Sequence, residues 1–207
     1  QTLDEALSAS ERDMPPEIRA EARRIATGAF RFSARSDRLV GPYLRKKPGE
    51  EVLNIFRMAL YEIHEAKTPP HAAVDGAVSL TVKKQKGLVN AVLRNIGRDD
   101  VVWEDVANPQ PKWLRKRLVK TWGEDAVLAM ERVFSTAPPL DLTVKDNASD
   151  WVETLEGTLL PTGSVRIPRV PRVTGLPGYD DGVWWVQDAA AALPAKLLDA
   201  KAGENVL

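Results

Sequence analysis

The helical spacing of apolar residues in the first half of the chain restricts its fold more than any other feature. The clearest stripe places apolar side chains at i, i+4, i+8 and i+11, namely Val52, Phe56, Leu60 and Ile63. Residues at this spacing lie on one face of an α-helix, and such a face must be covered by other elements. Weaker stripes precede and follow it, and proline pairs stand where helices would begin. The pattern predicts an all-helical bundle of about five or more helices over residues 1–98.

The predicted secondary structure changes after a polar segment that ends in Asn108-Pro-Gln-Pro111. Prolines at this spacing interrupt a helix, so residues 99–110 are predicted to be a linker. Two helices and then two short strands are expected beyond it, at residues 113–122, 124–134, 140–144 and 183–186. Helices followed by short strands indicate an α+β fold for the chain as a whole.

The composition limits the chemistry that these residues can carry out. Basic and acidic side chains number 29 each, which gives a net charge of zero. There is no cysteine, and the only histidines are His64 and His71, so the sequence offers no thiol nucleophile and predicts no metal site. No apolar run approaches the roughly 20 residues that cross a membrane, and we expect a cytoplasmic protein. The chain begins with Gln1 and stops where an apolar strand begins, so we expect the native protein to continue.

Basic residues are concentrated in segments that contain no acid, although the net charge is zero. Two of three such segments repeat every four residues, the first as Lys86, Asn90 and Arg94 and the second as Lys112, Lys116 and Lys120. Each of these rows would share one face of a helix. One interpretation is a solvated helix surface, because long basic side chains cover apolar surface well. The other is an RNA-binding face, because lysine and arginine contacts to phosphates supply affinity without reading sequence. The residues predicted to bind RNA are Lys83, Lys84, Lys86, Asn90, Arg94, Lys112, Arg115, Lys116, Lys120, Arg166, Arg169 and Arg172.

The chain contains six tryptophans, a high count for its length. Trp113 and Trp122 fall on the apolar side of their predicted helix and are expected in the core. Trp184 and Trp185 are neighbours in a predicted strand, where side chains alternate between faces. One of this pair should therefore be exposed, where it would stack on a base or be covered by another domain. His64 lies at a predicted helix end, where an imidazolium would suit the helix dipole.

Several longer segments resemble known families. Three of them, in this order, are similar to the NusB-like RNA-binding helical domain: Leu53-Asn-Ile-Phe-Arg-Met-Ala-Leu-Tyr-Glu-Ile63, Thr68-Pro-Pro-His-Ala-Ala-Val-Asp-Gly-Ala-Val78 and Gly87-Leu-Val-Asn-Ala-Val-Leu-Arg-Asn-Ile96. The last looks like the form attached to ribosomal RNA (cytosine-5)-methyltransferases of the Sun/RsmB type. Two later segments resemble the entry to the catalytic domain of RNA (cytosine-5)-methyltransferases: Gly182-Val-Trp-Trp-Val-Gln-Asp188 and Ala202-Gly-Glu-Asn-Val-Leu207.

This resemblance implies a domain order along the chain. It comprises a NusB-like RNA-binding domain, a linker, a small α+β RNA-docking domain and the first part of a Rossmann-like α/β methyltransferase domain, at residues 1–98, 99–110, 111–182 and 183–207. Such an enzyme would act on 16S ribosomal RNA, as a monomer with neither membrane nor metal as a partner. The alternative is a stand-alone NusB-like module that binds RNA or protein in transcription antitermination.

The resemblance also implies which chemistry lies outside these residues. In the family, a cysteine thiolate adds to C6 of cytosine and C5 then takes the methyl group of S-adenosylmethionine. Both catalytic cysteines and the donor-binding loop would lie beyond Leu207, so the chain alone would bind RNA without transferring a methyl group. Gln187 and Asp188 would border the active site, with helix capping as the alternative role for Asp188.

Overall fold

The computed structural model describes residues 2–99, 101–167, 173–201 and 203–206. The chain divides into two compact units, residues 1–136 and residues 137–207. The described part of the first unit forms eight α-helices: α1 Leu3–Ser10, α2 Pro16–Arg31, α3 Ser33–Val40, α4 Glu50–His64, α5 Pro70–Leu80, α6 Lys86–Arg98, α7 Lys112–Trp122 and α8 Glu124–Phe134. Short 3₁₀ turns lie at Gly41–Tyr43, Lys83–Gln85 and Trp103–Asp105.

The core of the first unit is built by helices α2 to α6. Helix α4 packs against α2, α3 and α5, and α5 packs against α6. The predicted apolar stripe lies in this core, because Val52, Phe56 and Leu60 are at most 2% exposed, while Ile63 is half-buried. Burying one such side chain fully stabilises the fold by roughly 2 kcal/mol. The helical bundle predicted from the spacing is therefore confirmed.

In the segment expected to be a linker, residues 99–110, Val101, Trp103 and Val106 pack onto the helical core. Trp103 is 2% exposed and belongs to the core of the first unit. Its indole Nε1 donates a 2.7 Å hydrogen bond to Glu65 Oε1, and its ring stacks on His64 with centroids 4.7 Å apart. Burial lowers the pKa of His64, which disfavours the imidazolium expected at this helix end. Trp103, with Val101 and Val106, thus fixes this segment to the helical core.

Helices α7 and α8 form a hairpin that belongs to the first unit. This division differs from the predicted one, which placed both helices in a second domain at residues 111–182. Hydrogen bonds from the preceding segment explain the difference. The Asn108 side-chain amide donates to the Arg31 carbonyl at 3.0 Å and to Ser135 Oγ at 3.2 Å. The end of α8 is thereby tied to the end of α2.

The second unit contains an antiparallel sheet and two short helices. Its described elements are β1 Leu140–Val144, α9 Ser149–Thr154, β2 Thr158–Leu159, β3 Val165–Ile167, a 3₁₀ turn at Val173–Gly175, β4 Trp184–Val186 and α10 Leu193–Leu198. The strands lie in the order β2-β3-β1-β4, and each neighbouring pair is antiparallel. Together with the helical first unit, this sheet confirms the predicted α+β class.

The core of the second unit lies on one face of this sheet. Leu142 and Val165 are 0% exposed and Trp184 is 4% exposed, whereas its neighbour Trp185 is 44% exposed. The predicted alternation of the two tryptophans is confirmed. The indole of Trp184 also donates a 2.8 Å hydrogen bond to the Pro177 carbonyl. Because β4 pairs with β1, residues 183–186 complete this sheet, which differs from the prediction that a separate domain begins at residue 183.

Candidate nucleic-acid interface

The first basic segment forms a surface on α6 and the 3₁₀ turn before it. We call Lys83, Lys84, Lys86 and Arg94 the α6 basic face. Lys83, Lys84 and Arg94 are exposed, and Lys86 is half-buried. Arg94 Nε donates a 2.9 Å hydrogen bond to Asn90 Oδ1, so Asn90 orients this arginine without neutralising it. Among the described residues, no carboxylate forms an ion pair with any of these four cations.

The second basic segment forms a surface on α7 that includes an aromatic ring. We call Lys112, Lys116, Arg117 and Lys120 the α7 basic face. All four are exposed, and none forms an ion pair with a carboxylate in the part of the chain that the structure describes. The guanidinium carbon of Arg117 lies 6.0 Å from the ring centroid of Trp113. Cations beside an exposed aromatic ring are typical of surfaces that bind single-stranded nucleic acid.

The prediction that Trp113 and Trp122 lie in the core was wrong. Trp113 is 65% exposed and Trp122 is 63% exposed. The side of α7 that is half-buried carries Leu114 and Leu118 instead. Trp113 follows Lys112 and has basic residues at i+3 and i+4, so its helical phase is that of the cations. This phase was the signal in the sequence that could have identified Trp113, and also Arg117, as surface residues.

Arg115 lies in the second basic segment, yet its charge is compensated within the chain. Its guanidinium forms ion pairs with Glu124 and with Glu131, the latter through Nε at 2.9 Å. Hydrogen bonding to Glu124 raises the pKa of Arg115. Glu131 also accepts a 3.0 Å hydrogen bond from the backbone N–H of Gln110. Arg115 therefore joins α7 to α8, and the structure does not support its prediction as an RNA contact.

Arg166 is also paired, although its own segment contains no acid. Its Nε and Nη2 donate to the two carboxylate oxygens of Asp141 at 2.7 and 2.8 Å. This pairing lowers the pKa of Asp141, whose side chain is 2% exposed. The fork geometry holds β3 to β1 and leaves Arg166 little free charge for phosphate. Arg169 and Arg172, predicted with it, lie outside the described residues.

Gln187 and Asp188 make their hydrogen bonds inside the second unit. Gln187 Oε1 accepts from Thr143 Oγ1 at 2.9 Å and from the Trp185 indole at 3.2 Å. Asp188 Oδ1 accepts from the backbone N–H groups of Ala190 and Ala191. Asp188 therefore closes a turn that precedes α10, but it does not cap that helix, whose N-cap is Ala192 and has no side-chain hydrogen bond. That either residue borders an active site stays a prediction.

Neither a metal-binding cluster nor a membrane-spanning helix is present among the described residues. No cluster of three or more His, Asp or Glu side chains is placed to hold a metal ion there. Within the same residues, no helix is long and apolar enough to cross a membrane.

Comparison with known proteins first defines the class of the helical part. Residues 1–98 match the NusB family, so the helices that carry the α6 basic face form a NusB domain. This finding confirms the resemblance of that region to the NusB-like helical domain.

The whole chain is further similar to proteins named ribosomal RNA small subunit methyltransferase B. The one from Klebsiella pneumoniae is 29% identical over 230 residues, which cover 100% of this chain and 53% of that protein. The one from Cronobacter sakazakii is 31% identical over 173 residues, with 74% of this chain and 40% of that protein covered. The one from Vibrio vulnificus is 27% identical and covers 100% of this chain and 54% of that protein. The chain thus spans about half the length of the curated relatives it matches.

Proposed function

We propose that this chain is the RNA-binding part of an S-adenosylmethionine-dependent 16S ribosomal RNA (cytosine-5)-methyltransferase. One observation carries the proposal: the lysines of the α6 and α7 basic faces have no carboxylate partner among the described residues. An unpaired lysine on a surface can release the counterions of a phosphate and so contribute affinity that falls with salt. The first of these faces lies on the NusB domain, and the second lies on the helical hairpin that follows it.

The extent of the similarity favours this function over a stand-alone NusB-like module. A NusB module accounts for residues 1–98 alone. The similarity to ribosomal RNA small subunit methyltransferase B proteins covers 100% of the chain in two of the three relatives described above. The sheet unit and the α7–α8 hairpin, which a NusB module leaves unexplained, are therefore parts that these methyltransferases share.

The residues described here do not fit a binding site for S-adenosylmethionine. Gln187 Oε1 and Asp188 Oδ1 accept hydrogen bonds from groups of the same unit, and the described residues after β4 contain no glycine-rich loop. The sequence contains no cysteine to act as the nucleophile. We therefore propose that donor binding and methyl transfer belong to other residues of the intact enzyme, and that this chain alone transfers no methyl group.

Replacing the three lysines of α7 tests the proposal. The chain with Lys112, Lys116 and Lys120 changed to Ala should bind a 16S ribosomal RNA transcript about 100-fold more weakly at 0.1 M salt, because three phosphate contacts are lost. Fluorescence anisotropy of labelled RNA measures the affinity. A parallel assay with labelled S-adenosylmethionine should show no methyl incorporation by this chain.

A control variant distinguishes the loss of the α7 basic face from a general loss of positive charge. Arg12, Lys46 and Lys145 are exposed and lie outside both basic faces, and changing all three to Ala removes the same three charges. This control should bind RNA nearly as well as the unchanged chain. Equal losses in the two triple variants, or no loss in either, would contradict an RNA-binding face on α7.

A further inference from the structure

We propose that Trp113 is a stacking platform for an unpaired base of single-stranded RNA, held by the cations of the α7 basic face. The inference rests on the proposed function and deepens it, because it names the form of RNA that this face binds. Its starting point is an indole that is 65% exposed in the first turn of α7. A tryptophan ring offers a large, flat apolar surface on which a base can stack.

The helical phase of Trp113 places it within the row of cations. Lys116, Arg117 and Lys120 follow it at i+3, i+4 and i+7, the spacings that share one face of an α-helix. Lys116 and Lys120 are separated by about 6 Å along the helix axis. A nucleic-acid backbone can therefore follow the lysines while one of its bases lies on the ring.

Arg117 lies over the indole ring of Trp113. Its guanidinium carbon is 6.0 Å from the ring centroid of Trp113, at the outer limit of a cation–π contact. Guanidinium planes and aromatic rings both stack on bases that have left a duplex, whereas paired bases in double-stranded RNA are not available to them. This geometry commits the site to single strands, loops or bulges.

The position of Lys112 is consistent with a negatively charged ligand. It stands in the first turn of α7, which contains no acidic residue. A cation there is disfavoured by the helix dipole, and no carboxylate of the described residues offsets it. RNA phosphates would supply the missing negative charge. Charge complementarity thus selects a nucleic acid rather than an apolar partner for the face that contains Trp113.

Trp122 is a matched control on the same helix. It is 63% exposed, against 65% for Trp113. Nine residues separate the two, which is about two and a half turns, so they point to opposite sides of α7. The residues at i−3 and i−4 from Trp122 are Val119 and Leu118, and the nearest cation of its row, Arg115, is paired with glutamates. Trp122 thus has the same exposure without free positive charge.

The experiment compares Trp113→Ala, Trp113→Phe and Trp122→Ala in the 207-residue chain. The ligands are an oligouridine of about 12 nucleotides, within the range of single-strand site sizes, and an RNA duplex of equal length. Trp113→Ala should weaken oligouridine binding by about 5- to 150-fold, the usual range for losing one base–aromatic stack. Trp113→Phe should lose less oligouridine affinity than Trp113→Ala, and Trp122→Ala should bind oligouridine like the unchanged chain. The affinity for duplex RNA should be the same in all three variants.

Fluorescence gives a second readout that does not depend on affinity. Oligouridine at saturation should quench tryptophan emission in the unchanged chain and in Trp122→Ala, and should quench clearly less in Trp113→Phe. Thermal unfolding of each variant checks that it is folded. If Trp113→Ala does not fold, Trp113→Phe still tests the inference. Unchanged oligouridine affinity and quenching in both Trp113 variants would overturn the inference, and so would equal losses on oligouridine and duplex.

The outcomes also separate the inference from the proposed function. If the triple lysine variant loses affinity and the Trp113 variants do not, the chain binds RNA through phosphates and Trp113 is not a platform. If none of them loses affinity, both the inference and the RNA-binding face on α7 are wrong.

Discussion

Lys116 on α7 and Arg166 on β3 come from equally acid-free stretches of sequence, yet the fold treats them differently. Lys116 is exposed and is without a carboxylate partner among the described residues. Arg166 is held by both oxygens of a nearly buried Asp141. The helical unit thus presents free charge, and the described part of the sheet unit uses this arginine internally.

The difference follows from where each element finds its neighbours. On an outer helix face, the neighbours of a side chain are three or four residues away in sequence, so an acid-free run becomes an acid-free surface. In a sheet, the neighbour is on another strand, and Asp141 lies directly opposite Arg166 although 25 residues separate them. Arg115 is an intermediate case, because α8 brings Glu124 and Glu131 to it.

Among the single substitutions that test this comparison, removing the carboxylate partner of Arg166 should have the largest effect. Asp141→Ala should reduce the free energy of unfolding of the sheet unit by about 2 kcal/mol, because a buried carboxylate and its charged hydrogen bonds are lost. The backbone N–H of Ala189, which donates to Asp141 at 3.0 Å, also loses its acceptor. Hydrogen exchange of the Leu142 and Val165 amides measures the change. Asp181→Ala, at an exposed position, is the control and should exchange like the unchanged chain.

A smaller effect should distinguish a free from a paired cation on the same helix. Lys116→Ala should weaken RNA binding roughly fivefold at 0.1 M salt, the contribution of one phosphate contact. Arg115→Met keeps the apolar stem of the side chain and should leave RNA affinity unchanged, because that charge is already compensated by glutamates. Anisotropy titrations of both variants at one salt concentration measure the two RNA affinities. A larger loss for Arg115→Met than for Lys116→Ala would reverse the comparison.

The smallest expected effect is on how the free energy of unfolding of the sheet unit changes with pH. Pairing with Arg166 lowers the pKa of Asp141 in the folded state, so its carboxylate stabilises the fold above the unfolded pKa of about 3.9. This contribution is lost as the pH falls through the folded pKa. The unchanged chain should exceed Asp141→Asn in sheet-unit stability at pH 7, and the gap should narrow below about pH 4. Hydrogen exchange at pH 7 and urea unfolding at lower pH measure this difference in stability. A gap that widens in acid would show that the pairing has been assigned wrongly.

Much of the fold was predictable because its signals are local. The apolar stripe on α4, the strand at Leu140–Val144 and the alternation of Trp184 and Trp185 all follow from the period of a single element. The segment at 99–110 was assigned as a linker because it is polar and because the prolines of Asn108-Pro-Gln-Pro111 interrupt a helix. That Trp103 fills the core and stacks on His64 depends on helices that precede it by tens of residues.

The candidate interface was predictable only in part, for the same reason. The spacing of Lys112, Lys116 and Lys120 identified a helix stripe without reference to the rest of the fold. The ion pairs of Arg115 and Arg166 could not be predicted without knowing which elements pack against these residues. Trp113 was assigned to the core because it was placed on the apolar side of its helix, whereas its phase is that of the exposed lysines.

The central claim is that the lysines of α7 are free to neutralise RNA phosphates. The slope of log K against log salt concentration tests it most directly, measured with a single-stranded 16S ribosomal RNA oligonucleotide. Each single-strand phosphate contact contributes about 0.7 to this slope, so the Lys112, Lys116 and Lys120 triple Ala variant should lose about 2 from its magnitude. Parallel lines for the unchanged chain and the variant would contradict the claim, because they would show that these three lysines displace no counterions when RNA binds.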